Sequence, residues 1–213
     1  MKKKTLLIIG FVLIACFATG CALFEFDASG YVKACLDANV KGEFDDYAKI
    51  TNSTNEDIEK LYDNFLDNDL SFLNQYNIDD SRKQEFRELF IRLYKNLDYE
   101  VGEATKTDET YTVPVTYKKL IVFDEMAKNI EEDTKTHFEE LAKAGENPST
   151  DDVYAYVLDY MYDGISKKLD NLQYEEPTTI NVTVKKMTEN AYGIEQDELD
   201  HLVQSMIDVD AVQ

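Results

Sequence analysis

Three thiols, at positions 16, 21 and 35, are available to the 213-residue chain, and one of them is spaced for covalent modification. Lys2, Lys3 and Lys4 precede a twelve-residue apolar run, Leu6–Phe17, and Ala18-Thr19-Gly20 then lead into Cys21. A basic start, an apolar middle and small residues before the cut make an export leader. Twelve helical residues reach roughly 18 Å, short of a bilayer core of about 30 Å, so the run does not read as a membrane span. A cysteine directly after small residues is the acceptor of a bacterial lipid-attachment signal. Its thiol takes a diacylglycerol, cleavage between Gly20 and Cys21 follows, and further acylation (palmitate, for instance) falls on the new N-terminus. Cys16, after Leu13-Ile14-Ala15, is the competing acceptor. Cys21 is preferred because the whole apolar run then precedes the cut and Gly20 is the better leaving position. One acyl chain at about 0.8 kcal/mol per buried CH₂ anchors marginally, whereas two hold stably.

No other residue pattern carries comparable chemistry. There is no G-x-S-x-G around a nucleophilic serine and no glycine-rich phosphate loop. His137 and His201 stand alone on helical patterns; His137 with Glu140 makes half a metal site, where zinc needs three or four ligands. Asp63, Asp67 and Asp69 cluster, but lack the glycine and closing glutamate of a calcium loop and read as a solvated helix face. No catalytic, cofactor or metal residues are therefore expected. Tyrosine is in excess, at fourteen. Tyr99, Tyr111, Tyr117 and Tyr192 fall on strand patterns and could line one sheet face, offering apolar rings with polar edges to a ligand. Core packing explains the same four, since tyrosine favours strands.

Charge narrows the partners. Formal net charge is −21, and because the leader holds three lysines and no acid, the remaining 193 residues stand at −24. A polyanion needs a basic footprint, so nucleic acid is excluded as a partner. An anionic leaflet would repel the body of the protein, leaving the lipid as the contact with the membrane. A cationic ligand or a basic protein partner is electrostatically allowed, and solubility is the plainer use of the charge. With Cys21 acylated, Cys35 has no intramolecular partner, and it lies on an apolar helix face with Tyr31, Val32 and Leu36.

The elements follow from hydrophobic period. Helical spacing marks a first helix capped by Asp27 or Ser29 and ended by Gly42, and a short piece around Phe44–Ile50. A third helix starts at Ser53 or Thr54, and a fourth is opened by Ser81 and Gln84. Strand alternation then runs through Tyr99 and Val101, turns at Thr107-Asp108-Glu109, and continues through Tyr111, Val113, Val115 and Tyr117. Pro114 demands an edge or a bulge, and Leu120–Phe123 reads as the covered end of that strand. A helical pair begins at Asp124 and at Ser149, strand period returns after Pro177, a turn near Glu189-Asn190 follows, and a helix over Leu199–Ile207 closes the chain. The expected organisation is a leader over 1–20, a lipidated cysteine with a short tether over 21–27, and one α+β domain over 28–208. That domain is N-terminal helices on a curved four-stranded antiparallel sheet, with a helical insertion at about 124–172.

The segments FEFDASGYVKACLDANVKGEFDDYAKIT, LYKNLDYEVGEATKTDETYTVPVTYKK and TINVTVKKMTENAYGI resemble uncharacterised small lipoproteins of low-GC Gram-positive bacteria. The resemblance implies a cystatin-like roll, akin to nuclear-transport-factor-two-like proteins, and carries no activity. The functional expectation is a non-catalytic binding or interaction module, lipid-anchored on the outer face of the bacterial cytoplasmic membrane. The alternative is an enzyme with its pocket in the concave sheet face. Solute capture is disfavoured because a two-lobed clamp needs two domains.

Overall fold

The computed structural model describes residues 26–188 and 191–209. Gly20, Cys21 and the expected turn at Glu189-Asn190 lie outside them. Helices come first: α1 (Ala28–Leu36), α2 (Asp45–Thr51), α3 (Asn55–Asp69) and α4 (Asp80–Lys95). Strands β1 (Asp98–Val101), β2 (Thr105–Thr107) and β3 (Thr110–Lys118) follow, then the helical pair α5 (Asp124–Lys143) and α6 (Thr150–Asp170). Strands β4 (Thr178–Thr188) and β5 (Ala191–Ile194) and helix α7 (Gln196–Ser205) complete the order. The expected α+β organisation is present: helices pack on an antiparallel sheet curled into a half-barrel, with α5–α6 inserted between its halves.

The sheet order is β1-β3-β4-β5, with β2 also paired to β3. β1 and β2 occupy the same side of β3, so they form one interrupted edge strand and the sheet is four positions wide. Pro114 explains the interruption. β3 is internal, between β1/β2 and β4, so the proline is not at an edge. The Gly102 N–H donates to the Pro114 carbonyl at 2.8 Å, but Pro114 has no N–H to return. Ser29 of α1 supplies the missing donor: its hydroxyl donates to the Gly102 carbonyl at 2.8 Å and accepts from the Ala104 N–H at 2.9 Å. The bulge that proline requires thus sits on the partner strand and ties α1 to the sheet.

Local chemistry sets the helix ends. Asp27 caps α1 through the Gly30 N–H, Thr54 caps α3, and Ser149 with Asp152 forms a reciprocal capping box on α6. α4 is capped by Asp79 instead of Ser81, because the Asp79 carboxylate reaches the Arg82 N–H at 2.8 Å. After α1 the helix widens into a π-turn, Asp37–Lys41, ended by Gly42 at φ +69°. Leu120–Phe123 is not strand. Leu120 bridges both Tyr174 and Ile207, and its N–H donates to Met206, so the segment is held by the chain's C-terminal end.

The core is continuous from α1 through α4, the sheet and α7. On β3 the alternation is strict: Tyr111, Val113, Val115 and Tyr117 are buried while the intervening residues are half-buried. Val182 and Val184 of β4 line the same layer, and α1 covers it with Tyr31, Val32 and Cys35. Cys35 is 1% exposed, as its place on the apolar stripe implies. The helical pair is different. α5 packs chiefly on α6, α6 reaches back to α4, and no described residue from 131 to 157 is buried.

Candidate functional site

The four strand tyrosines do share a sheet face, but that face is filled. Tyr99 lies directly opposite Tyr117 in the β1–β3 register, and Tyr111 packs against Tyr192 with ring centroids 5.5 Å apart. Tyr111 and Tyr117 are 4% and 6% exposed, which makes them core residues. Phe26 stacks on Tyr192 at 4.3 Å and also touches Tyr111, closing that end of the layer. Tyr99 spends its hydroxyl on Asp37 of the π-turn, donating to Oδ1 at 2.6 Å, while Lys33 donates to Oδ2. Burial, then this hydrogen bond, pushes the Tyr99 phenol far up, so it stays protonated. Lys41 sits over the same ring at 4.4 Å. The node is internally satisfied and fastens α1 to β1.

The aspartates of α3 separate into two roles. Asp63 and Asp67 both accept from the Arg87 guanidinium of α4, at 2.5 and 2.6 Å. Asp69, expected to be solvated, is instead 2% exposed. The Tyr94 hydroxyl donates to its Oδ2 at 2.5 Å, and Oδ1 has no protein partner. Burial raises the Asp69 carboxyl to about 7, against the opposing effect of the Tyr94 hydrogen bond. His137 stacks flat on Tyr156 at 4.2 Å. No group of three or more metal-ligating side chains exists among the described residues.

A concavity open to solvent lies elsewhere, between the base of α5 and the length of α6. It is a cleft of about 580 Å³. Val122 and Met126 floor it beside Gly164, where an added Cβ would stand 3.3 Å from the Met126 sulfur. Glycine there lets the two helices approach closely. Tyr156, Asp159, Tyr160 and Asp163 occupy one end, and Lys167, Lys168 and Asn171 the other. The spacing of these residues runs along one helical face for about four turns, or roughly 22 Å. Tyr160 donates to Asp133 of α5 at 2.7 Å, and this bond raises its phenol to about 12. Asp159 is bridged to Arg82 of α4 at 2.6 Å. The helix is therefore braced from both sides through Tyr160 and Asp159, with Tyr156 and Asp163 also lining the cleft.

Val153, Tyr156, Val157, Tyr160 and Met161 keep the spacing of one helical face along α6. All five are only half-buried. The available signal was the density of tyrosine alternating with aspartate from Tyr154 to Asp163, more than a core-facing stripe needs.

No protein-family model and no curated protein matches the chain. Among solved structures, it is similar to ycdA of Bacillus subtilis, a candidate lipoprotein by its given name, with a TM-score of 0.56 and 15% sequence identity. The similarity covers 85% of this chain and 56% of the other, so this chain spans little more than half of that protein's length. At that identity the likeness concerns the fold.

Proposed function

We propose that the protein is a lipoprotein held on the outer face of a bacterial cytoplasmic membrane by a diacylglyceryl group on Cys21, and that its folded part is a non-catalytic binding module. The spacing Lys2–Lys4, Leu6–Phe17, Gly20-Cys21 supports the anchor. Likeness of fold to the candidate lipoprotein ycdA adds support to the same reading. One observation carries the binding role: side chains fill the sheet face that an enzyme pocket would need, while a surface groove on α6, lined by aromatic and charged residues, is open to solvent.

Fractionation and protease accessibility in a Gram-positive host test the placement. The wild-type chain is expected in the membrane fraction and open to protease added to intact protoplasts. The Cys21→Ser variant is expected to keep its leader, whereas Cys16→Ser behaves as wild type. A Cys21→Ser protein processed and anchored like wild type would overturn the reading.

A further inference from the structure

One end of the sheet differs in charge from the rest of the chain. Thr110 of β3 pairs with Lys185 of β4, and Thr188 of β4 pairs with Ala191 of β5. The β2–β3 and β4–β5 connections therefore lie side by side at the same end. In sequence, residues 105–112 and 185–193 together hold three lysines and three acids, so this end is neutral in a chain of net charge −21. Residues 124–170, which join the sheet at the other end of β3, hold thirteen acids against five lysines. Met187 belongs to the neutral end and, at 49% exposed, is the most exposed large apolar side chain among the described residues. It lies over Gly193, whose added Cβ would stand 3.0 Å from the Met187 Cγ.

Phe26 marks where the chain reaches this end. It touches Tyr111 and stacks on Tyr192, and both Phe26 and Tyr192 are half-buried. Phe26 stands five residues after Cys21, a reach of at most about 18 Å. The nine residues of β3 alone span roughly 30 Å, so the far end of the sheet is out of that reach. We propose that the two-turn end of the sheet rests on the lipid bilayer, with Met187 seated at the boundary between headgroups and acyl chains. A lipid on Cys21 brings this end to the bilayer and no other. Its neutrality removes the repulsion that anionic headgroups exert on acids, and the acids of the far end lie beyond a screening length of about 8 Å. The flexible, apolar side chain of Met187 loses its contact with water there, and the aromatic rings of Phe26 and Tyr192 suit the same layer. The inference rests on the Cys21 anchor and adds to it a protein surface in contact with lipid.

The chain has no tryptophan, so a single introduced one reports only its own surroundings. Met187→Trp and Leu172→Trp are compared in the lipidated chain purified from membranes. Each is reconstituted into phosphatidylcholine–phosphatidylglycerol vesicles with plain or dibrominated acyl chains. Leu172, 39% exposed, belongs to the far end, where the carbonyl of neighbouring Gln173 accepts from the Ile121 N–H at 2.9 Å. Brominated chains are expected to remove at least half of the Met187→Trp emission and to leave Leu172→Trp unchanged. Thr107→Trp, at the exposed end of β2, is expected to be quenched as well, and it carries the test if Met187→Trp does not fold. Thermal unfolding that matches wild type verifies the fold of each variant. Absence of quenching at both turns, equal quenching at positions 187 and 172, or quenching at 172 alone would overturn the proposal. A chain that does not float with the vesicles fails the anchor reading and takes this inference with it. A chain that floats with both turns unquenched fails this inference alone.

Discussion

Ser29, Gly102 and Pro114 make a three-residue unit whose parts are interdependent. A Cβ on Gly102 would lie 2.9 Å from the Pro114 ring, so Gly102→Ala overpacks the strand contact and is expected to cost about 1–3 kcal/mol. Ser29→Ala leaves the Gly102 carbonyl and Ala104 N–H without their partner, again at about 1–3 kcal/mol, and both losses are readable by urea unfolding. Asp69 gives a pH signature. Its carboxyl titrates near 7 when folded and near the ordinary value of about 3.9 when unfolded. Between those values the folded state holds the extra proton, so this stabilisation is full below about pH 4 and is lost as pH rises through 7. Asp69→Asn is expected to flatten the fall in melting temperature between pH 4 and 7 relative to wild type; parallel profiles would refute the assignment. Pro114 announced its irregularity in the sequence, because a missing N–H is a property of the residue itself. The split among Asp63, Asp67 and Asp69 was not legible. It depends on Arg87 and Tyr94, twenty or more positions away, which select two carboxylates for the surface and one for the core.

Among the elements, the helical pair stands out for how it is attached. The Asp208 carboxylate accepts from the backbone N–H groups of Val122, Phe123 and Asp124 at 2.8 to 3.0 Å, capping α5 from a distant part of the chain. Beyond that base, no side chain of residues 131–157 is more than half-buried, so local opening there exposes little apolar surface. Amide hydrogen exchange is expected to be fastest in this outer half and slowest in α1 and β3. Asp208→Ala should accelerate exchange at the start of α5 while leaving α1 unchanged. The two helices were readable because their signals are local: Asn147-Pro148-Ser149 stops one and caps the next, and Gly145 takes φ +85° between them. Leu120–Phe123 was misread as strand because an apolar run records burial without recording its partner. Here that partner is the C-terminal segment rather than a neighbouring strand. The π-turn at Asp37–Lys41 likewise had no local mark, since it answers to Tyr99 across the fold.

At the scale of the molecule, charge and sheet set what the fold presents to its surroundings. A body carrying a formal net charge of −21 is repelled by an anionic leaflet. The sheet's inner face is occupied by its own tyrosines and valines, and a groove open to solvent lies along α6. Strand tyrosines were legible as a shared face because register follows from alternation, but whether a face is open depends on what packs over it. Here α1 packs on β1 and β3, and Phe26 covers Tyr111 and Tyr192. Intact-mass analysis of the protein purified from membranes tests the proposed lipid on Cys21 most directly. The expected product is a chain that has lost its first twenty residues and carries a diacylglyceryl thioether on Cys21. A chain recovered there with a free Cys21 thiol, or with the leader still attached, would contradict it.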